Sequence, residues 1–298
     1  MHFGVTMFPT DRALSPIRLG LLVESMGFES LFLPEHSHVP VDRISLYPSG
    51  GELPEDFYRF FDPLESLAAV AAVTSRIRLG TSTLVIPDHD PIMLAKRVST
   101  LDHLSEGRVV LGVGAGWNLE ELANHGSDPR LRWTIFRERV EAMKVIWTHE
   151  VASYEGTCVR ISPMKQWPKP VQTPHPPVLV GGSGPTTAQR VLRFGDGWMA
   201  SGRHLDGPEL KVRIDELQAM AAQQDRAPVP VMLQQGTPTA PAIEEYLDMG
   251  LDRVTFRVDP GDEGAVAEQL EHLVRLIDPY RSQFRRPGPP RRAQPFRP

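Results

Sequence analysis

Three short stretches of this 298-residue chain hold side chains whose type and spacing could do chemistry. The first, Glu35-His36-Ser37-His38, puts a carboxylate and two imidazoles directly after the apolar run Ser30 to Leu33. A histidine at such a point is suited to give or take a proton near neutral pH. The H-x-H spacing could also begin a metal set, but barrel hydrolases of that kind need further His and Asp ligands at later strand ends. The late runs end instead in Gln234-Gln235 and Arg257-Val258-Asp259, so no metal is expected. The second stretch is Gly112-Val113-Gly114-Ala115-Gly116, also after an apolar run. It lacks the third glycine of a dinucleotide fingerprint, because Trp117 stands there. Without side chains, that rim leaves space for a flat ring system; the plain alternative is a set of glycines that lets the chain turn off a strand. The third, Gly181-Gly182-Ser183-Gly184, lies between a strand and a helix start. Free N–H groups there, with the helix dipole behind them, suit a phosphate, against the alternative of a simple glycine turn.

The elements that must position these groups follow from the apolar periodicity. Strands are expected over Phe3 to Phe8, Ser30 to Leu33, Leu79 to Ile86, Val109 to Val113, Val178 to Val180, Trp198 to Ala200, Val229 to Leu233 and Arg253 to Val258. Helices alternate with them, and Ser15-Pro16, Asp62-Pro63, Asp90-Pro91 and Asp128-Pro129 mark helix starts independently of the apolar pattern. Eight strands alternating with helices predict a (β/α)8 TIM barrel, with a doubly wound open sheet as the second choice. Two insertions interrupt the repeat, at about 36–62 and 149–177, the second with a hairpin turning near Glu155-Gly156. The first is long for a structureless loop, and its aromatic residues point to a lid or binding loop. A single domain over residues 1–280 is expected, followed by a Pro- and Arg-rich flexible tail over 281–298.

Composition narrows the class. Net charge is −5, and Arg281, Arg285, Arg286, Arg291, Arg292 and Arg297 crowd the tail, so the folded part is more acidic still. That argues against a nucleic-acid surface. No run is long and apolar enough for a membrane span. Cys158 is the only cysteine, which fits a reducing cytoplasm, and the N-terminus enters a strand at once, so no signal peptide is expected.

At these residues the chain resembles the luciferase-like monooxygenase superfamily and, within it, the deazaflavin-dependent oxidoreductases that use coenzyme F-420. The resemblance runs from about Phe3 to Tyr280 and rests on L-F-L-P-E-H-S-H-V-P, L-A-K-R-V-S-T-L-D-H-L-S-E-G-R, L-G-V-G-A-G-W-N-L-E-E-L, W-P-K-P-V-Q-T-P-H-P-P-V-L-V-G-G and G-D-G-W-M. It implies a bacterial-luciferase-like barrel, usually a homodimer, that moves hydride between F-420 and a small organic substrate. It implies His36 as proton donor or acceptor, with Glu35 orienting it or touching the ring edge. A non-prolyl cis peptide at Ser82–Thr83 would buttress the ring, Gly114, Ala115 and Gly116 would flank it, and Gly182, Ser183 and Gly184 would hold the phosphate. Trp117 and His38 would wall the substrate pocket, and Arg97, Arg203 and Lys211 are candidates for a basic groove along the acidic tail of F-420. The chain departs from the family's sugar-phosphate dehydrogenases, which carry a catalytic glutamate where Trp117 stands; its acids follow only at Glu120 and Glu121. Two other readings remain open: an FMN-dependent monooxygenase that uses oxygen, and a flavin-binding barrel without catalysis.

Overall fold

The computed structural model describes residues 1–205 and 207–281. The strands, in chain order, are His2–Met7 (β1), Ser30–Leu33 (β2), Arg78–Val85 (β3), Val109–Gly114 (β4), Ala152–Glu155 (β5), Arg160–Met164 (β6), Val178–Gly181 (β7), Gly197–Ser201 (β8), Val231–Gln234 (β9) and Arg253–Val258 (β10). The helices are Pro16–Ser25 (α1), Pro63–Val73 (α2), Pro91–Leu104 (α3), Leu119–Asn124 (α4), Arg132–Thr148 (α5), Thr187–Phe194 (α6), Gly207–Ala222 (α7), Ala240–Asp248 (α8) and Glu263–Arg281 (α9). Eight strands close into a parallel barrel in the order β1-β10-β9-β8-β7-β4-β3-β2. Because β1 pairs with both β2 and β10, the sheet has no edge, which rules out the open doubly wound alternative.

The helix starts obey the capping residues. Ser15 accepts from the N–H of Arg18, Asp62 from those of Leu64 and Glu65, and Asp90 from that of Met93, each one residue before a proline. These side chains satisfy N–H groups that a helix start leaves without a partner. Asp128-Pro129 opens a 3-10 turn over Pro129–Leu131, from which α5 continues. Inside the barrel, Phe32, Val110, Leu179, Met199 and Met232 form a layer contributed by five strands. Outside it, helical stripes such as Leu94, Ala95, Val98 and Leu101 of α3 belong to the larger core between strands and helices.

Both insertions are ordered. Strands β5 and β6 form an antiparallel hairpin, and buried Glu138 of α5 accepts from the backbone N–H groups of Thr157, Cys158 and Val159 at its turn. The segment 34–62 folds over the barrel mouth, where Leu53 and Phe57 join Phe8 in a small cluster, with Tyr47, Phe60 and Trp117 packed on it. Helix α9 reaches one residue into the expected tail: Arg281 donates to the Met26 carbonyl. The remaining tail residues, 282–298, lie outside the described residues. Among the described residues no helix is long and apolar enough to cross a membrane.

Candidate active site

A cavity of about 410 Å³ opens at the C-terminal ends of the barrel strands, under the 34–62 segment. That end is where barrels of this type carry their chemistry, and the volume suits a cofactor or small molecule. Its wall includes Glu35 and His36 after β2, Ser82 and Thr83 on β3, Gly114 to Trp117 from the end of β4, Gly181 to Ser183 from the end of β7, Arg203 after β8 and Gln234 of β9.

His36 is almost enclosed, with 8% of its side chain exposed, and its partner is Glu121 of α4, itself 2% exposed. His36 Nδ1 and Glu121 Oε2 are 2.7 Å apart. The other carboxylate oxygen accepts from the Ser37 backbone N–H at 2.9 Å and its hydroxyl at 3.3 Å. On the opposite side of the ring, Trp117 Nε1 donates to His36 Nε2 at 3.2 Å. An indole N–H can only donate, so Nε2 carries the lone pair and Nδ1 the proton. In this tautomer Nε2 is an acceptor, and the Trp117 indole occupies it. Burial pushes Glu121 up, but the donors from His36, Ser37 and the His38 backbone outweigh it and hold the carboxyl below its ordinary range.

Glu35 does not orient His36. Adjacent residues of an extended chain point to opposite sides. While His36 faces α4, Glu35 turns to the end of β3, accepting from the Val85 N–H at 2.6 Å and lying 2.8 Å from His89 Nε2. Burial alone would depress His89; the hydrogen bond and charge of Glu35 outweigh it and raise it. Between the two pairs sits Asp88, pushed up to about 8 by burial and by the charges of Glu121 and Glu35.

The Ser82–Thr83 peptide is cis, as the resemblance implies. The Ser82 carbonyl accepts from Gln234 Nε2 at 3.0 Å, and Ser82 Oγ lies 3.3 Å from Thr6 Oγ1. A Cβ on Gly114 would come within 2.7 Å of Thr83 Oγ1, so only glycine lets β4 lie against this segment. In the loop after β7, Gly182 has φ +136, outside the range of other residues. Ser183 Oγ and Thr187 Oγ1 are buried there with no partner.

Other expected residues sit elsewhere. His38 does not line the cavity; it turns to Ser37 and to Asn124 of α4. Gly184 borders a smaller hollow behind the β7 loop instead of the main cavity. Of the three candidate cations, Arg97 is held by Asp62 and Glu65, and Lys211 by Asp215, which leaves Arg203 in the wall, donating to Tyr47 Oη at 2.9 Å. Sequence reasoning missed Glu121 as the partner of His36. A signal was present, since Asn118 followed three residues later by Glu121 is a helix-start pattern, and the Asn118 side chain caps α4.

The family model of luciferase-like monooxygenases matches residues 15–287. The chain belongs to this family. Among luciferase-like relatives, an uncharacterised protein of Mycobacterium tuberculosis is 42% identical over 278 residues, covering 92% of this chain and 98% of its own. An F-420-dependent glucose-6-phosphate dehydrogenase of Intrasporangium calvum is 30% identical over 202 residues, or 65% of this chain and 56% of that one. An FMNH(2)-dependent dimethylsulfone monooxygenase of Pseudomonas putida is 30% identical over 158 residues, or 52% and 42%. A solved monooxygenase of Streptomyces bottropensis has the same fold, with a TM-score of 0.80 at 21% identity over 94% of this chain and 99% of that one. The protein is thus an enzyme of a luciferase-like family whose members use F-420 or FMN.

Proposed function

We propose that the protein is an oxidoreductase that transfers hydride between coenzyme F-420 and a small organic substrate. The observation that carries this reading lies at the cavity mouth. Trp133 lines the cavity, and the guanidinium carbons of Arg190 and Arg132 lie 3.6 and 5.4 Å from its ring centre. Neither arginine has a carboxylate partner among the described residues, and burial and the Arg132 charge lower Arg190. Two unpaired like charges beside one indole are relieved by an anion that reaches past the phosphate loop. F-420 carries an acidic tail beyond its phosphate, whereas FMN ends at the phosphate, so Arg190 and Arg132 would favour F-420.

The remaining wall fits such a cofactor. Ser183 Oγ, in the wall ahead of the N-terminus of α6, offers a donor for a phosphate, and its orphaned hydroxyl is otherwise a cost of about 1–3 kcal/mol. Gly114 to Gly116 and the Ser82–Thr83 segment pack side by side in one wall of the cavity, where a tricyclic ring would lie against them. When bound, the deazaflavin supplies a ring carbon that takes up or releases hydride in two-electron steps. The chain's own work is to hold the substrate beside that carbon and to manage one proton. His36 Nε2 takes the proton of a substrate hydroxyl as hydride leaves, and Glu121 stabilises the imidazolium formed. The 34–62 segment, tied to the barrel through Tyr47 and Arg203, keeps water out.

The relative from Pseudomonas putida favours a second reading, in which reduced FMN activates oxygen for a monooxygenase reaction. Turnover separates the two. With reduced F-420 or F-420 and a panel of carbonyl compounds and alcohols, the absorbance of the deazaflavin should change equally under nitrogen and air. A strict need for oxygen and FMNH2 would reverse the assignment.

A further inference from the structure

The hydrogen bonds around His36 do not stop at Glu121; they continue to the protein surface. Ser37 Oγ, which donates to Glu121, lies 2.6 Å from His125 Nε2 and 2.9 Å from His38 Nδ1. Asn124 Nδ2 donates to His38 Nε2 at 2.8 Å, so the His38 proton is on Nδ1 and points to Ser37. Ser37 and His125 are exposed, whereas Glu121 is buried. The chain therefore runs from an enclosed ring in the cavity wall to solvent, with a group that can both give and take a proton at each joint. Neither Ser37 nor His125 touches the cavity.

We propose that Glu121, Ser37 and His125 form a proton conduit that connects His36 to bulk water while the cavity is closed. The proposal rests on the hydride-transfer reading for its use, but not for its existence. In the oxidative direction the substrate loses a hydride to the cofactor and a proton to His36 Nε2. The Nδ1 proton passes to Glu121 Oε2, and the carboxyl redistributes it to Oε1. Ser37 Oγ receives it after turning its own hydrogen to His125 Nε2, and His125 releases one proton to water. A turn of the His36 ring about Cβ–Cγ then faces its remaining N–H to Glu121 and restores the resting tautomer. The reverse reaction runs the same steps backwards, so no further oxidant or reductant is needed. Burial, and then the neighbouring charge of His38, hold His125 below the usual imidazole range, which keeps its ring free to accept. Ser37 and His125 are positioning and relay residues, since neither touches substrate.

The test reads exchange of the His36 Nδ1 proton with water in cofactor-free protein, by NMR on imidazole-labelled material. Ser37→Ala keeps the backbone N–H to Glu121 but removes the hydroxyl, and it should slow exchange by roughly an order of magnitude or more. Ser37→Thr restores the hydroxyl and should restore exchange, which a purely structural role of the serine would not require. The double variant His38→Asn with His125→Asn, which leaves the buried residues untouched, should slow exchange as well. Unchanged exchange in Ser37→Ala and in the double variant would overturn the conduit, whatever cofactor the protein binds. Slowed exchange without any F-420 turnover would keep the conduit and sink the hydride-transfer reading.

Discussion

At the N-terminal end of the barrel, Arg108 spends all five of its N–H groups on Ser105, Thr74, Ile77 and Ala71. Glu24 accepts from the N–H groups of Ser75, Arg76 and Ile77, and Glu29 and Arg253 pair through two bonds of 2.7 and 2.8 Å. At the C-terminal end, buried groups are left with capacity to spare: Asp88 Oδ1, Ser183 Oγ and Thr187 Oγ1 have no partner, and His36 Nε2 has only an indole that can move. Both ends bury charge; among the described residues the N-terminal end leaves Ser30 Oγ without a partner, and the C-terminal end leaves more bonds to be made. Saturation stabilises a fold, whereas spare capacity costs stability and is kept where a ligand will supply the partner.

The contrast can be broken at either end, and the largest effect belongs to the cavity. His36→Ala should lower kcat by about 10²–10⁴-fold while F-420 binding stays close to the parent's. A parallel loss of binding would mean that the ring is packing rather than proton chemistry. Arg108→Met should do the opposite, costing about 3 kcal/mol in thermal unfolding because several buried carbonyls lose their donor, with Kd for the cofactor unchanged. Asp88 sharpens the comparison through pH. Its folded pKa, about 8, lies above its ordinary 3.8, so the native state holds a proton that the unfolded chain releases. Stability should therefore fall as pH rises through that window, and Asp88→Asn should remove the fall, the variant gaining on the parent from pH 4 to pH 8. Parallel pH profiles would contradict the assignment. The smallest effect is at the mouth: Arg190→Ala should weaken F-420 binding by about 0.5–1 kcal/mol and leave FMN binding untouched.

The barrel was legible because its signals are local. Four capping residues before prolines and eight apolar runs specify where elements begin, and these agree with the structure to within a few residues. The rim was legible only in part. Glycines at the ends of β4 and β7 announce themselves by type, and Gly114, Gly116, Gly181 and Gly182 line the cavity. Partnerships did not, because Glu35 and His36 are neighbours in sequence but face opposite ways, and the residue that meets His36 is 85 positions away on a helix of six residues. His38 failed for a related reason: it stands two positions past His36, where an extended strand would bring both rings to one face, but the chain has already left β2. The arginine pair at the mouth comes from α5 and α6, and no spacing in the chain joins Arg132 to Arg190.

The most direct test of the account is a fluorescence-quench titration of cofactor-free protein with F-420 and, separately, with FMN. The account predicts saturable, micromolar or tighter binding of F-420 and much weaker binding of FMN. Tight FMN binding with none for F-420 would contradict it and assign the cavity to an oxygen-using flavin enzyme.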